Sequence, residues 1–375
     1  MACLCVLGAR GQQLPDEEVQ VNLNGYFDNF RVYIIYPSVS LTQHVGETTS
    51  LTGRYLVDVI SAASIKSRFE VDGVTSATST EHGASEGGLD EVRHELGLGL
   101  TQLLSKATLS VNGLYSTEHD YSSKTLALQL SYPFAKNNTV VQLGLVRSWD
   151  KVFPQTRTWT KDKRVLTLSG GLTQVLGRRL IAQLDVSYTQ NKGLLSDAYQ
   201  VITLVRDAAV STFEPIHPGH RARKAIGLRV NYKLASPSAL QLGYRYYWDD
   251  WEVRSHTVST RYQHRLSSGV RLGLGVRTYV QSKAFFFEAD YSDPMAFMTV
   301  DSKLNKGYTT AFQLDAVFGG SAFDKVPVLK LLTDEKVALS VKFNFYQRHT
   351  ASPDWHSRFK NLYAYVISLG YRYRF

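Results

Sequence analysis

Cysteine is almost absent from this chain of 375 residues, and its two copies, Cys3 and Cys5, lie together at the start. Nothing after them can form a disulfide framework or a cysteine-based zinc or redox site. This usage fits an oxidising compartment. The run from Ala2 to Leu7 looks like the tail of a secretory leader without its basic start. We therefore predict a leader remnant or disordered N-terminus over 1–16 and one domain over 17–375.

Long apolar runs are also missing. The chain has no run of about 18 apolar residues, which excludes a helical membrane span. Its mean hydropathy of −0.19 is in the range of water-soluble proteins. Membrane β-barrels escape this measure, because only every second residue of each strand meets lipid. The low average hydropathy is therefore compatible with a membrane protein built from strands.

No lysine-rich tail or basic helix carries the formal charge of +9. Lysine and arginine are instead spread along the chain, whereas nucleic-acid binding normally needs a clustered basic patch. We predict that nucleic acid is not a partner. Basic residues inside a pore, or facing anionic lipid, account for the charge better.

Strict alternation of side chains is what the sequence does contain, most clearly at its C-terminus. Between residues 363 and 375 every second side chain is aromatic or aliphatic, and the others are small or basic. Alternation with period two indicates a strand with one apolar face. The aromatic residues Tyr371, Tyr373 and Phe375 at the end resemble the closing strand of bacterial outer-membrane barrels, where this pattern is the assembly signal.

The same alternation recurs in sixteen segments, most of them long enough to cross a membrane as a tilted strand. Charges fall on the small or polar face, which suits a water-filled interior and not a soluble core. We predict an all-β fold, a transmembrane antiparallel β-barrel of about 16 strands, or 14 if the hairpin over 17–43 lies outside the wall. The predicted strands are 17–27, 31–43, 49–62, 93–104, 107–117, 121–133, 139–149, 163–175, 178–190, 222–234, 238–250, 253–265, 269–282, 305–318, 335–347 and 361–375.

Loop lengths give an independent indication. Counted back from Phe375, connections on the side of the termini are short and most of those on the other side are long, as in bacterial outer-membrane barrels. We expect both termini in the periplasm, with two tight outer turns near Asp28 and Trp251. The connection 319–334 is a long exception on the inner side, and we expect a small rim helix or an inward-folded plug there.

Several short motifs add a resemblance to the pattern. They are Asp58–Ser64, His94–Thr101, Gly193–Tyr199, Tyr244–Trp251 with Ser255–Thr257, and Ala284–Phe287 followed by Asp301–Leu304. Together they resemble a family of outer-membrane barrels known as a domain of unknown function, and Asp-Asp-Trp with Ser-His-Thr is the most specific element. Ala198 departs from the pattern, since proline is common there. By gene neighbourhood the resemblance implies a small lipoprotein and periplasmic flavin-attaching machinery as partners. It implies no established activity.

The first candidate site is a basic lumen. Inner acids are fewer than inner bases, so opposed arginine and carboxylate ladders would set a transverse field that favours anions. The alternative is that these charges pair across the interior and fill a closed barrel. The predicted inner bases are Arg54, Arg229, Lys233, Arg245, Arg261, Arg271, Arg277, Lys342, Arg372 and Arg374, and the inner acids are Asp58, Glu95, Asp185, Asp249 and Asp315.

Three further constellations can carry chemistry. Carboxylates and an imidazole at one outer hairpin can hold a divalent ion, or can simply form a polar tip. A second metal candidate in the longest outer loop lacks the spacing of a helical zinc motif. A lipid-facing hydrolase would need a nucleophile elbow that is not found, so we expect neither an enzyme nor a cofactor. The three sets are Asp249, Asp250, Glu252 and His256; Glu214, His217 and His220; and His94, Ser259 and His264.

These patterns predict a porin-like channel for small solutes, weakly favouring anions, in the outer membrane. The alternative is a closed barrel that acts as a scaffold and docks a lipoprotein or redox partner. Expected partners are outer-membrane lipid and lipopolysaccharide, the barrel-assembly machinery and a small lipoprotein.

Overall fold

The computed structural model describes residues 13–30, 32–61, 89–155, 157–206, 209–234, 237–319, 334–354 and 360–375. No helix in these ranges is long and apolar enough to cross a membrane. The described residues form a closed barrel of sixteen strands, in which every neighbouring pair is antiparallel. The first hairpin belongs to the wall, so the prediction of sixteen strands is confirmed over the alternative of fourteen.

The described ranges contain eighteen strands, sixteen in the wall and two in a separate hairpin. Their bounds are β1 Glu18–Asp28, β2 Tyr33–His44, β3 Thr49–Ser61, β4 Leu89–Leu103, β5 Thr108–Thr117, β6 Tyr121–Phe134, β7 Thr139–Val152, β8 Lys161–Gly177, β9 Leu180–Gly193, β10 Ile202–Arg206, β11 Ala209–Phe213, β12 His220–Lys233, β13 Ser238–Asp249, β14 Arg254–Arg265, β15 Val270–Gln281, β16 Gly307–Gly319, β17 Val337–Thr350 and β18 Asn361–Arg374.

Neighbours in sequence are neighbours in the wall with one exception. Strand β9 pairs directly with β12, and the hairpin β10–β11 forms a separate sheet that is not part of the wall. The sequence pattern did not predict this hairpin, which lies within a predicted outer loop. The barrel closes where β1 pairs with β18, with Glu18 opposite Arg374.

Side-chain exposure alternates along each wall strand. In β4, Leu96, Leu98 and Leu100 are 52%, 66% and 37% exposed and point outward. Glu95 between them points inward, where it pairs with Arg54 of β3. An outer face of exposed leucine, valine, phenylalanine and tyrosine is what contact with lipid requires. Period two alone therefore separates the outer surface from the interior.

The two ends of the barrel differ. One end, here the short-turn end, carries the start of β1, the end of β18 and tight connections such as the turn Ala135–Asn137. At the other, the long-loop end, successive wall strands are joined through residues 62–88, 153–160, 194–219, 282–306 and 351–360 and through three tight turns at 29–32, 118–120 and 250–253. The predicted alternation of loop lengths thus reappears, with a third tight turn at 118–120. The expected plug at 319–334 falls on 320–333, outside the described residues, as do residues 1–12 of the leader segment.

Candidate functional site

One side of the barrel interior carries an inclined series of arginines, the arginine wall. In register, Arg229 lies opposite Gly243, Gly243 opposite Ser259, and Ser259 opposite Arg277. Two arginines therefore share one row with only small side chains between them. Arg245 and Arg261 each lie two residues along their strand from that row, on opposite sides of it. The arginine wall consists of Arg229 on β12, Arg245 on β13, Arg261 on β14 and Arg277 on β15.

Several inward-facing bases remain open to solvent. Arg245, Arg271 and Arg277 point into the barrel by the alternation of their strands, yet each is exposed. Exposure of an inward-facing side chain requires free space beside it. Side chains of the described residues therefore do not fill the interior along β13 to β15.

Part of the predicted lumen charge is neutralised locally. The Arg261 guanidinium donates to Asp315 at 2.7 Å, and Gly273 makes room for that carboxylate, since a Cβ there would lie 2.4 Å from Asp315 Oδ1. The Arg229 guanidinium donates to the Gln183 side chain at 3.3 Å. The arginine wall therefore keeps an excess of positive charge.

The remaining predicted lumen residues divide into two groups. Arg54, Arg372 and Arg374 pair with carboxylates of Glu95, Glu18 and Asp16 at 3.3, 3.7 and 2.9 Å. In the described part of the chain, no ion pair joins a carboxylate to Lys233, Arg245, Arg271 or Lys342; Arg245 lies over the Tyr247 ring at 5.5 Å.

The side of the interior that lies nearly opposite in the ring of strands is acidic. Arg93 is embedded among these acids, 3.1 Å from Glu95 and 3.7 Å from both Asp58 and Glu118. Among the described residues, Arg54 also pairs with Glu95 and Lys163 lies 3.9 Å from Asp150. These three bases do not balance the five acids of the group, so this side carries the opposite charge to the arginine wall. We call it the acid wall, and it consists of Asp58 on β3, Glu95 on β4, Glu118 and Asp120 at the β5–β6 turn, and Asp150 on β7.

Two long loops fold over the interior at the long-loop end and form the mouth cap, residues 194–206, 209–219 and 282–306. The side chain of Gln281, which faces inward, donates to the carbonyls of Lys303 and Asn305 at 2.8 and 2.5 Å. Inward-facing Arg348 donates to Ser302 at 3.1 Å. These bonds come from the inner faces of β15 and β17, so the second loop lies inside the rim.

The mouth cap has apolar cores of its own. Phe286 and Phe287 are buried with Trp251 of the β13–β14 turn. A second cluster joins the two loops and consists of Ile202, Leu204, Tyr291 and Met298. The backbones of Ile216 and Met298 exchange hydrogen bonds of 3.0 and 2.9 Å. Burial of this apolar surface holds the two loops together as one unit.

Polar contacts tie the mouth cap to the acidic side of the barrel. The Tyr199 hydroxyl donates to Asp120 of the acid wall at 2.7 Å, and Arg157 pairs with Glu214 at 3.1 Å. With the Arg348 contact, the mouth cap is attached on both sides of the opening. It therefore spans the mouth and narrows it.

His217 is the most unusual titratable group in the mouth cap. Its ring packs against Trp251 and Phe286, with centroids 5.3 and 5.2 Å away. Nδ1 lies 2.9 Å from the Leu195 carbonyl and so carries the proton, because a carbonyl only accepts. Nε2 is buried without a hydrogen-bond partner among the described residues. Burial lowers the pKa of His217, and the negative charge of Asp301 offsets this only in part.

The residues of the predicted metal site are separated. Asp249 accepts from Arg221 at 2.6 Å and from the N–H groups of Trp251 and Val253. Asp250 lies 3.0 Å from His220. His256 points outward, 2.8 Å from the Tyr244 hydroxyl. These contacts support the alternative to a metal site, in which the cluster forms a polar hairpin tip. Within the described ranges, no group of three His, Cys, Asp or Glu side chains is placed to hold a metal ion.

The other two constellations are not assembled either. Glu214 pairs with Arg157, whereas His217 and His220 bond to Leu195 and Asp250. On the strands, the outward His94 lies 2.8 Å from Tyr55 and His264 lies 2.8 Å from Ser238. Ser259 faces inward in the row of the arginine wall. The structure therefore does not bring the members of either set together.

Sequence reasoning missed the mouth cap. The motifs Gly193–Tyr199, Ala284–Phe287 and Asp301–Leu304 meet there around Trp251, although they are far apart in the chain. A usable signal was the aromatic run Phe285–Phe287 inside a loop, because a loop in water rarely carries three aromatic residues in succession without packing them.

Comparison with known proteins defines the family and the fold. A family model described as Protein of unknown function (DUF3570) matches residues 8–160 and 147–361. No curated protein matches the chain. The chain is similar in structure to a bacterial polysaccharide outer membrane secretin, with a TM-score of 0.53, 6% identity and coverage of 96% of this chain and 100% of that one. The fold is thus that of bacterial outer-membrane barrels.

Two other solved structures are less similar. Outer-membrane expressed OmpT of Vibrio cholerae has a TM-score of 0.46, 10% identity and coverage of 98% and 100% of the two chains. OpdK of Pseudomonas aeruginosa, solved with vanillate, has a TM-score of 0.46, 11% identity and coverage of 97% and 100%.

Proposed function

We propose that this chain, which belongs to the family Protein of unknown function (DUF3570), is an outer-membrane channel that passes small solutes and weakly favours anions. The long-loop end faces outward and both termini lie in the periplasm, as the short turns on their side favour. The observation that carries the proposal is the exposure of inward-facing Arg245, Arg271 and Arg277. Solvated arginines on the inside of a closed wall are the lining of an aqueous path.

The charge arrangement supplies the selectivity. The arginine wall and the acid wall lie on nearly opposite sides of the interior, so a transverse field crosses the path. Small anions are attracted to the arginine wall, while the mouth cap limits the size of solute that reaches it. The acid wall contributes less, because its side chains are buried and Asp120 is engaged by Tyr199.

Single-channel recording in a planar bilayer under a salt gradient tests the proposal. The wild-type protein is expected to show steady ohmic conductance with a reversal potential on the anion side. Replacing Arg245 and Arg277 by serine moves that potential toward zero, because the positive side of the field is removed. The matched control replaces Arg178 and Arg179 by serine on the exposed β8–β9 turn, and it leaves the potential unchanged.

A closed scaffold that docks a lipoprotein or redox partner is the second candidate. The apolar cores of the mouth cap favour it, since they fill the opening with packed side chains. Comparing the wild type with a variant in which a short glycine-serine linker replaces residues 284–304 separates the two functions. A channel conducts as wild type and gains conductance in the variant, whereas a closed scaffold is folded but silent as wild type and conducts only in the variant.

A further inference from the structure

The outward face of the barrel carries a second charged feature that the channel does not use. Beside the apolar side chains, seven lysines and arginines of the described wall strands point away from the interior by the alternation of their strands. One of them, Lys151, lies opposite Asp162, and the other six form one group. Five are exposed and Arg147 is half-buried. All lie toward the long-loop end. This basic belt consists of Lys124 on β6, Arg147 on β7, Arg164 on β8, Lys192 on β9, Lys224 on β12 and Arg254 on β14.

Strand register places the belt in continuous rows. Lys124 lies opposite Trp149, Trp149 opposite Arg164, and Arg164 opposite Lys192. A second row runs from Lys224 through Trp248 to Arg254. Neighbouring strands are about 4.8 Å apart, so the charged groups follow one another at short intervals along the rim.

The belt covers only one arc of the circumference. The outward faces of β15 to β18 and of β1 to β5 carry no lysine or arginine within their strands. At the corresponding height they present side chains such as Tyr308, Phe345 and Tyr363, which are aromatic. Attraction of the whole barrel to an anionic membrane surface does not require the bases to lie on one arc. A ligand that binds at that arc accounts for their position.

Among the residues that the structure describes, no carboxylate neutralises the charges of the belt. No ion pair joins any of the six to a carboxylate in the described part of the chain, and Arg147 contacts only the Trp149 ring, at 5.7 Å. Of the two acids on or beside the same strand faces, Asp162 lies opposite Lys151 in register and Asp250 lies 3.0 Å from His220. Arg164 directly opposite Lys192 is a like-charge pair, which destabilises a sheet unless an anion lies between the two.

We infer that the basic belt binds the phosphate groups of an anionic lipid, the phosphorylated glycolipid of the leaflet beside the long-loop end. Its neighbours support a lipid over a soluble anion. Trp149 and Trp248 lie within the rows, and tryptophan favours the headgroup level of a membrane. Below the rows, Leu168 and Leu228 continue the exposed apolar wall for the acyl chains. Lysine and arginine at this level reach lipid phosphates with their terminal groups.

The test measures binding of diphosphoryl lipid A to the refolded full-length barrel in detergent micelles by native mass spectrometry. Replacing Lys124, Arg164 and Lys192 by glutamine is expected to weaken binding by about tenfold or more, since each base near a headgroup contributes to attraction. The matched control replaces Lys106, Lys136 and Arg179, which are exposed at the short-turn end, and keeps the wild-type affinity. Wild-type affinity is also expected to fall as salt rises.

Two arms keep the inference falsifiable. Dephosphorylated lipid A binds the wild type as weakly as diphosphoryl lipid A binds the glutamine variant. The variant Lys124→Arg, Arg164→Lys, Lys192→Arg keeps the charges and retains binding, so a loss through misfolding is distinguished from a loss of charge.

Equal affinity of the glutamine variant and the wild type for diphosphoryl lipid A overturns the inference, and an acidic protein then becomes the expected ligand of the belt. An equal loss in the short-turn control overturns it too. Conductance plays no part in these measurements, so the result is independent of the proposed channel.

Discussion

At the scale of single residues, the odd or even position of a residue in its strand decides whether its side chain faces the interior or the outside. Asp249 and Tyr247 face inward on β13, and Tyr247 lies opposite Ser255. His256 is the next residue along β14, so it lies opposite Tyr246 and points outward. Proximity in sequence suggested a metal site, but period two separates its members. The alternation was available from the sequence, and with the hairpin register it shows that His256 points away from Asp249.

Gly193 is the residue whose backbone is least replaceable. Its φ is +106°, and a Cβ there would lie 2.1 Å from the Asp162 carbonyl oxygen. Gly193→Ala is expected to lower the free energy of unfolding by about 1–3 kcal/mol, because both the backbone conformation and the contact become strained. Urea unfolding in lipid vesicles, followed by tryptophan fluorescence, measures the change. Gly53→Ala, whose Cβ would meet nothing within 4 Å, is the control. Equal stability of the two variants contradicts the expectation.

At the scale of elements, the wall was predictable and the mouth cap was not. Each wall strand repeats one rule, and predicted segments such as 139–149 and 253–265 agree to within a few residues with the observed β7 and β14. The hairpin β10–β11 obeys no such rule, since its burial depends on Tyr291 and Met298 from another loop. Contacts between loops are set by three-dimensional packing, which a local pattern does not contain.

The mouth cap is expected to loosen in acid. Burial lowers the pKa of His217, so the closed cap binds fewer protons than the open one. Its stability is therefore fully present above the ordinary histidine pKa of about 6.5 and declines as the pH falls below it. Hydrogen exchange of residues 194–206 between pH 8 and pH 5 measures this loosening.

Substitution at His217 identifies the group responsible. The variant His217→Gln stays neutral at every pH and is expected to lose most of the pH dependence. His220→Gln removes an exposed histidine nearby and retains it. If both variants loosen in acid like the wild type, another group is responsible.

At the scale of the whole molecule, the last strand of the wall ends in exposed aromatic side chains. Phe375 is 53% exposed, and its N–H donates to the Glu17 carbonyl at 3.1 Å. Tyr371 and Tyr373 lie on the same outward face of β18. This exposed aromatic end is available to the barrel-assembly machinery, which we predict as a partner from the sequence pattern.

Deleting Phe375 is expected to reduce the amount of folded barrel in the outer membrane several-fold, because the exposed end of the signal is lost. The heat-modifiable band of the membrane fraction on a denaturing gel measures the folded amount. Phe134→Ala removes an outward aromatic residue of similar exposure at the same end and is the matched control. A deletion that assembles as well as this control shows that the last residue is not recognised.

The pairing of β1 with β18 also imposes an order in time. Glu18 and Arg374 are neighbours in space but lie far apart in the sequence. Their contact closes the largest loop of any strand pair in the wall, so its entropic cost is the highest among these pairs. Hairpins whose strands are neighbours in the sequence form sooner. The pairing of β1 with β18 is therefore the last step of ring formation, and until then these two edge strands remain open to other chains.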